Sequence, residues 1–257
     1  MGINELILQS KLPLLETQLI MSFILKREVV FVVAHPDYSL SQGEVTSFEQ
    51  MYTQRLAGRP LEYILGRKEF YGRDFAVNED VLIPRPESEE IVDRVLSHIQ
   101  DRITENNRGE FKIVDLGTGS GILAVTIALE LKERFGSALS SVAITAVDVS
   151  GRALTVARRN AHKLGAGDNV RFVQGDLFSA VGDESFDIIV ANLPYLPTTE
   201  SRDNRFEPQS ALDGGVDGND LNNRLQHEYE RYLNPGGVLV FEGYGGEIKV
   251  TRAVDAQ

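Results

Sequence analysis

From residue 111 onward, short apolar runs alternate with longer amphipathic ones, and this alternation restricts the fold more than any other feature of the chain. Residues 111–116, 142–147, 170–173, 186–191 and 238–241 are brief, rich in Val and Ile, and read as buried strands. Residues 122–135, 150–164 and 221–233 carry helical spacing between them. Asn234-Pro235-Gly236-Gly237 reads as the turn into the last strand. Strands separated by helices predict an α/β fold, with a parallel sheet covered by helices on both faces. Ligands of such sheets bind outside the C-terminal strand ends, so the residues that close each strand carry the functional information.

The first strand closes on Asp115-Leu116-Gly117-Thr118-Gly119-Ser120-Gly121. Glycines there let the backbone approach a ligand and aim helix-start N–H groups at it, but their spacing is not the dinucleotide G-x-G-x-x-G. The second strand ends in Asp148, where a carboxylate can accept both hydroxyls of a ribose. The third is followed by Asp176, placed for an adenine amino group. Asp115 suits a cationic amino acid moiety better than a pyrophosphate. Each Asp taken singly is as readily a turn or helix cap. In register they fit S-adenosylmethionine, which has a ribose, an adenine and a positive sulfonium but no phosphate.

The fourth strand stops before Asn192-Leu193-Pro194-Tyr195, because Pro194 cannot donate to a sheet ladder. The Asn192 side-chain oxygen and the Pro194 carbonyl are two acceptors suited to the two hydrogens of a planar NH2 group. The Tyr195 ring can pack on the plane that carries it. Alone, the tetrapeptide is as readily an Asn-containing turn.

Upstream of residue 111 the pattern is different. Helical spacing runs from residue 10, breaks at Lys26-Arg27-Glu28 and resumes over residues 29–33, where a strand would fit as well. Ser41-Gln42-Gly43-Glu44 is a capping box that opens another helix, and Pro60 starts a short one closed by Gly66. Residues 68–77 resemble a hairpin, residues 87–104 a helix behind Pro84-Arg85-Pro86-Glu87, and residues 106–110 a polar linker. The domain reading is therefore 1–66 helical, 67–110 a hairpin and helix linker, and 111–257 the cofactor-binding α/β domain.

Composition narrows the function. The chain has no cysteine and its four histidines are scattered, so neither thiolate chemistry nor a metal site is expected. A formal charge of -12 argues against broad affinity for nucleic acid backbones. No apolar stretch reads as a signal peptide or membrane span, and the expectation is a cytoplasmic protein.

On these motifs the chain resembles the class I S-adenosylmethionine methyltransferases, and among them the HemK-type glutamine N5-methyltransferases of peptide chain release factors. The resemblance rests on residues 60–66 (PLEYILG), 81–87 (VLIPRPE), 115–121 and 192–195, and on Glu207-Pro208 followed by residues 211–218 (ALDGGVDG). It implies a Rossmann-like sheet, an N-terminal helical domain that holds the release factor, and methyl transfer to the glutamine of a Gly-Gly-Gln motif. The implied cofactor residues are Asp115, Gly117, Thr118, Gly119, Gly121, Asp148, Asp176 and Asn192. The implied substrate residues are Arg85, Glu87, Asn192, Leu193, Pro194 and Tyr195, with Asn192, Pro194 and Tyr195 catalytic. A monomer is expected.

Two departures stand out. The family has Pro where this chain has Leu193, and it continues past the fifth strand with a helix and an antiparallel hairpin. The expectation here is a sheet that ends at strand five without that hairpin. Three other activities fit parts of the pattern: glutamine methylation of a ribosomal protein, N6-adenine or N2-guanine methylation, and a non-enzymatic adaptor.

Overall fold

The computed structural model describes every residue except 107–109, 137, 138, 140, 244 and 253–257. Residues 107–109 of the expected polar linker lie outside the described part. The chain divides into two compact units, Met1–Arg67 and Lys68–Gln257.

The first unit is helical: α1 (Ile3–Gln9), α2 (Leu14–Leu25), α3 (Val29–Ala34), α4 (Gln42–Leu56) and α5 (Leu61–Leu65). Sequence spacing gives no sign of α1, a seven-residue helix that Pro13 separates from α2. Lys26, in the left-handed region at φ 53°, ends α2. The capping box at Ser41 forms, with its N–H donating to the Glu44 carboxylate at 2.7 Å. Ile3, Leu6, Ile20, Met21, Val32, Leu40 and Phe48 make this unit's own core.

A two-stranded hairpin, β1 (Arg67–Phe70) and β2 (Arg73–Ala76), starts at the boundary residue Arg67 and is followed by α6 (Glu89–Asn106). Then come β3 (Glu110–Leu116), α7 (Ile122–Arg134), β4 (Ser141–Asp148), α8 (Gly151–Leu164), β5 (Val170–Gln174) and β6 (Phe186–Ala191). Short α9 (Thr198–Ser201), α10 (Asp220–Glu228), β7 (Leu233–Glu242) and β8 (Ile248–Arg252) complete it. The strands form one sheet in the order β5-β4-β3-β6-β7-β8, parallel except for β8. It is a Rossmann-like sheet. All six residues of β6 are buried, as expected of a strand covered on both faces. Ile188 and Val190 enter one apolar cluster with α6 and α7, and Ile189 and Ala191 enter the other, with Leu225 of α10.

Two expectations are corrected. Asn234-Pro235-Gly236-Gly237 is no turn but a bulge inside β7: Phe186 pairs with Leu233, and the next pairing is Ile188 with Val238. Pro235 sits where no ladder bond is required of it, and the Arg102 guanidinium donates to the Gly236 carbonyl at 2.6 Å. The sheet also goes on past strand five, because β8 pairs antiparallel with β7 from Val238–Arg252 to Glu242–Ile248. The outer strand carries Lys249 and Arg252, charges of the kind that discourage edge-to-edge pairing.

Asn160 of α8 joins the hairpin to the sheet's central loop. It is fully buried, accepts from Ala76 N–H at 2.7 Å, and donates to the carbonyls of Ala76 and Ser120 at 3.0 and 2.9 Å. Asn160→Ala leaves those groups without partners, and a buried polar group so stranded costs about 1–3 kcal/mol. A loss of roughly 2–4 kcal/mol in urea unfolding is expected; an unchanged midpoint would show that water or a shifted backbone replaces the amide.

Candidate active site

From β3 the chain winds outward through β4 to β5, then returns to lay β6 on the opposite side of β3. The connections after β3 and β6 therefore leave the sheet in opposite directions and open a crevice between them. A cleft of about 960 Å³, mouth included, lies there against the 117–120 loop, Asp148, Asp176, Leu177, Asn192 and Pro194.

The loop is shaped by glycines that nothing else could replace. Gly117 (φ 74°) sits so close to the neighbouring segment that a Cβ would fall 2.8 Å from Leu193 Cδ2. A Cβ on Gly121 (φ 83°) would lie 3.1 Å from that of Ala157 on α8. Four of the loop's amides are spent inside the fold. Gly117 and Thr118 both donate to the Val147 carbonyl at 2.9 Å, Gly119 to Asp148 Oδ2 at 2.8 Å, and Gly121 to the Thr118 carbonyl at 2.8 Å. The sequence expectation that these N–H groups face a ligand is thus corrected for those four residues. A phosphate would find those donors taken. A ligand recognised by shape, or by a positive charge, would not.

Asp148 is largely buried and lines the cleft, and burial raises its pKa. Oδ1 accepts from Ser150 N–H at 2.8 Å and Oδ2 from Gly119 N–H, which leaves each oxygen a free lone pair. Asp115 stands elsewhere. It is fully buried behind the loop, its Oδ2 accepting from Thr118 Oγ1 at 2.6 Å and Ala124 N–H at 3.2 Å, while Oδ1 has no partner. It does not line the cleft, so its sequence-based role toward a cationic moiety becomes one of bracing the loop. Asp176 does line the cleft, but its half-exposed carboxylate is already paired with Arg224 at 2.9 Å. An amino group there would have to share it.

The segment after β6 faces the glycine loop. Asn192 Nδ2 donates to Ser88 Oγ at 2.7 Å, and Leu193 is buried in the core. The Tyr195 hydroxyl donates to Glu242, and burial with that carboxylate beside it pushes the phenol up to about 12. Residues 211–218 back the segment: Leu196 N–H donates to the Leu212 carbonyl at 3.0 Å and Gly214 N–H to the Leu196 carbonyl at 2.8 Å. Gly214 and Gly218 lie directly against the carbonyls of Pro194 and Tyr195. A second pocket shares Leu82, Arg85, Ala211 and residues 192–194 with the cleft and is completed by Tyr195, Leu196 and Leu212. Arg85 is held there by Glu207 at 2.7 Å, and the same carboxylate accepts from Ile83 N–H at 2.9 Å. Glu87 is exposed and touches neither pocket.

Residues 107–253 match the family model of a methyltransferase domain, and residues 5–66 that of the PrmC N-terminal domain. A release factor glutamine methyltransferase of Koribacter versatilis is 36% identical over 239 residues, 90% of this chain and 80% of the relative. The chain belongs to the release factor glutamine methyltransferase family. Its counterpart in Bacillus subtilis is 42% identical over 79% of this chain and 69% of the relative. A crystallised methyltransferase of Pyrococcus furiosus is a looser likeness, with 21% identity, a TM-score of 0.42 and 77% of each chain covered.

Against that family background, the side chains that sequence reasoning missed are Ser88, Asn160, Glu207 as a ligand of Arg85, and Glu242. Ser88 and Glu242 had one weak signal each: a serine next to the Pro84–Glu87 segment, and a carboxylate closing a buried strand.

Burial drives the Asp115 carboxyl from 3.8 up to about 7; the hydrogen bonds from Thr118 and Ala124 oppose the shift, and Asp148 adds to it. A folded-state pKa above the unfolded one stabilises the fold below the unfolded value. That contribution is lost as pH rises toward the folded value. Stability should therefore fall by roughly 2 kcal/mol between pH 5 and pH 7 on account of this group. Asp115→Asn keeps an acceptor for Thr118 and Ala124 but cannot ionise. Urea titrations should show the variant's curve flatter by that amount, and parallel curves would mean that Asp115 stays charged throughout.

Proposed function

We propose that the protein transfers a methyl group from S-adenosylmethionine to the side-chain amide nitrogen of a glutamine in a peptide chain release factor, the glutamine of a Gly-Gly-Gln loop. One observation carries this reading. Residues 192–194 line both the cleft and a second pocket that adjoins it, as a group transfer between two bound molecules requires. The relatives' shared name supports the substrate. The net charge of -12 speaks against a nucleic acid in its place.

S-adenosylmethionine, when bound, supplies a methyl carbon made electrophilic by its sulfonium. The cleft suits it: a loop with four of its amides already paired, Asp148 with a lone pair on each oxygen for ribose hydroxyls, and apolar Val149, Leu177 and Leu221 beside them. The Asp148 carboxylate at the cleft wall also favours a cation.

The amide nitrogen is a poor nucleophile, since its lone pair is delocalised, so the chain's task is orientation rather than base catalysis. In our reading Asn192 Oδ1 accepts one amide hydrogen. Gly214 packs on the Pro194 carbonyl, so the second hydrogen is given to the carbonyl of Leu193, fixed by the proline that follows it. This revises the sequence assignment to Pro194. The two acceptors hold the NH2 plane and stabilise the positive charge that grows on nitrogen. Tyr195 packs on that plane, and the proton leaves after transfer. Arg85 and Glu207 shape the acceptor pocket, while Glu87 is given no contact with substrate. We place the reaction in the cytoplasm, performed by a monomer.

Two outcomes test this. Asn192→Ala should lower turnover on a folded release factor by roughly 10²–10³ while methyl-donor affinity stays nearly intact. A labelled methyl group on DNA or a ribosomal protein, when all three are offered together, would redirect the assignment. Asp148→Ala should weaken donor binding by at least about tenfold in calorimetry. It should also lower the unfolding midpoint, because Gly119 and Ser150 lose their acceptor; full affinity in the variant would remove Asp148 from the cofactor site.

A further inference from the structure

A side-chain amide can present either its oxygen or its NH2, and only the oxygen serves the function proposed for Asn192. Something must choose between them. Behind Asn192 lies a chain of buried groups that touches neither pocket. Asn192 Nδ2 is 2.7 Å from Ser88 Oγ, and Ser88 Oγ is 3.1 Å from Glu242 Oε2. Ser88 is fully buried and Glu242 nearly so, at 1% exposed. An ionised carboxylate only accepts, so the single Ser88 proton goes to Glu242 and the serine lone pairs face Asn192. They can be met only by the Asn192 NH2. The amide oxygen is thereby directed away from Ser88, and among the described residues no donor reaches it. Tyr195 donates its hydroxyl proton to the same carboxylate, which locks the ring as well.

We propose that Glu242, acting through Ser88 on Asn192 and directly on Tyr195, fixes which face of the Asn192 amide meets the substrate, and that Ser88 and Glu242 are positioning residues for methyl transfer. The inference rests on the reading that Asn192 grips the glutamine amide. Its hydrogen-bond polarity requires Glu242 to be ionised. The groups facing it are Ser88 and Tyr195, which stabilise the charge, Arg85, which does so from farther away, and Glu87, which opposes it. Burial outweighs them and raises the Glu242 pKa. A protonated Glu242 can donate to Ser88, and the direction of the chain is then no longer enforced. Turnover should therefore fall as pH drops through the Glu242 titration.

The experiment is a double-mutant cycle on the full chain, with a folded release factor as acceptor. Glu242→Gln keeps the size and removes the enforced direction. We expect kcat to fall roughly tenfold to a hundredfold, with KM for the methyl donor within about twofold and the acidic limb of the kcat profile lost. Combined with Asn192→Ala, it should cost clearly less than the two single losses together, because the part carried through Ser88 to Asn192 is already gone and only the hold on Tyr195 remains. Ser88→Ala gives a second reading of the same cycle should Glu242→Gln not fold. Unchanged kcat in either variant, or a loss that adds in full to that of Asn192→Ala, would overturn the proposal. Full turnover in Asn192→Ala alone would overturn the reading beneath it, and this inference with it.

Discussion

The contact between Leu193 and Gly117 joins the two halves of the site. The loop after β3 and the segment after β6 can share one cleft only because the first presents bare backbone where the second presents an apolar side chain. Beneath that contact, the Val147 carbonyl at the end of β4 receives two loop amides, so three strand ends are fastened together. Burying a leucine side chain contributes about 1.5–3 kcal/mol. That is enough to fix the position of a segment whose neighbours, Asn192 and Tyr195, are polar and only partly buried. The leucine that departs from the family's usual proline is thus an anchor in the core, and the stiffness of the segment comes from Pro194 and the glycine loop that backs it.

The same economy of backbone recurs around the second pocket. Glu207 accepts from the Ile83 amide and the Arg85 guanidinium at once, tying residues on either side of Pro84 to a loop more than a hundred positions away in sequence. Gly214 and Gly218 let that loop press against the carbonyls of Pro194 and Tyr195. The pocket is therefore assembled from three short segments, each of which is irregular and none of which would hold its shape alone.

What could be read in the sequence was what is local. The strands of β3 to β7 announce themselves as apolar runs, the 117–121 loop by its glycines, and residues 192–195 by a polar residue and proline after a buried strand. Asp148 was legible because it closes a strand. Ser88 and Glu242 were not, since they lie 104 and 154 positions from their partners Asn192 and Ser88, and no period or spacing connects them. Asp115 and Asp176 show the limit from the other side. Both have the right type at the right place, yet one spends its carboxylate under the loop and the other on Arg224. Asn234-Pro235-Gly236-Gly237 has turn composition, but the ladder resumes on the far side of it, and only the pairing with β6 reveals a bulge.

The glycine loop's internal hydrogen bonds bear on repeated turnover. Four of its amides have partners before any ligand arrives, so the loop has little conformational freedom left to lose on binding. A demethylated donor can then leave, and a fresh one enter, without the cradle melting and re-forming between rounds. Exchange of one small molecule for another becomes a matter of diffusion into a standing shape.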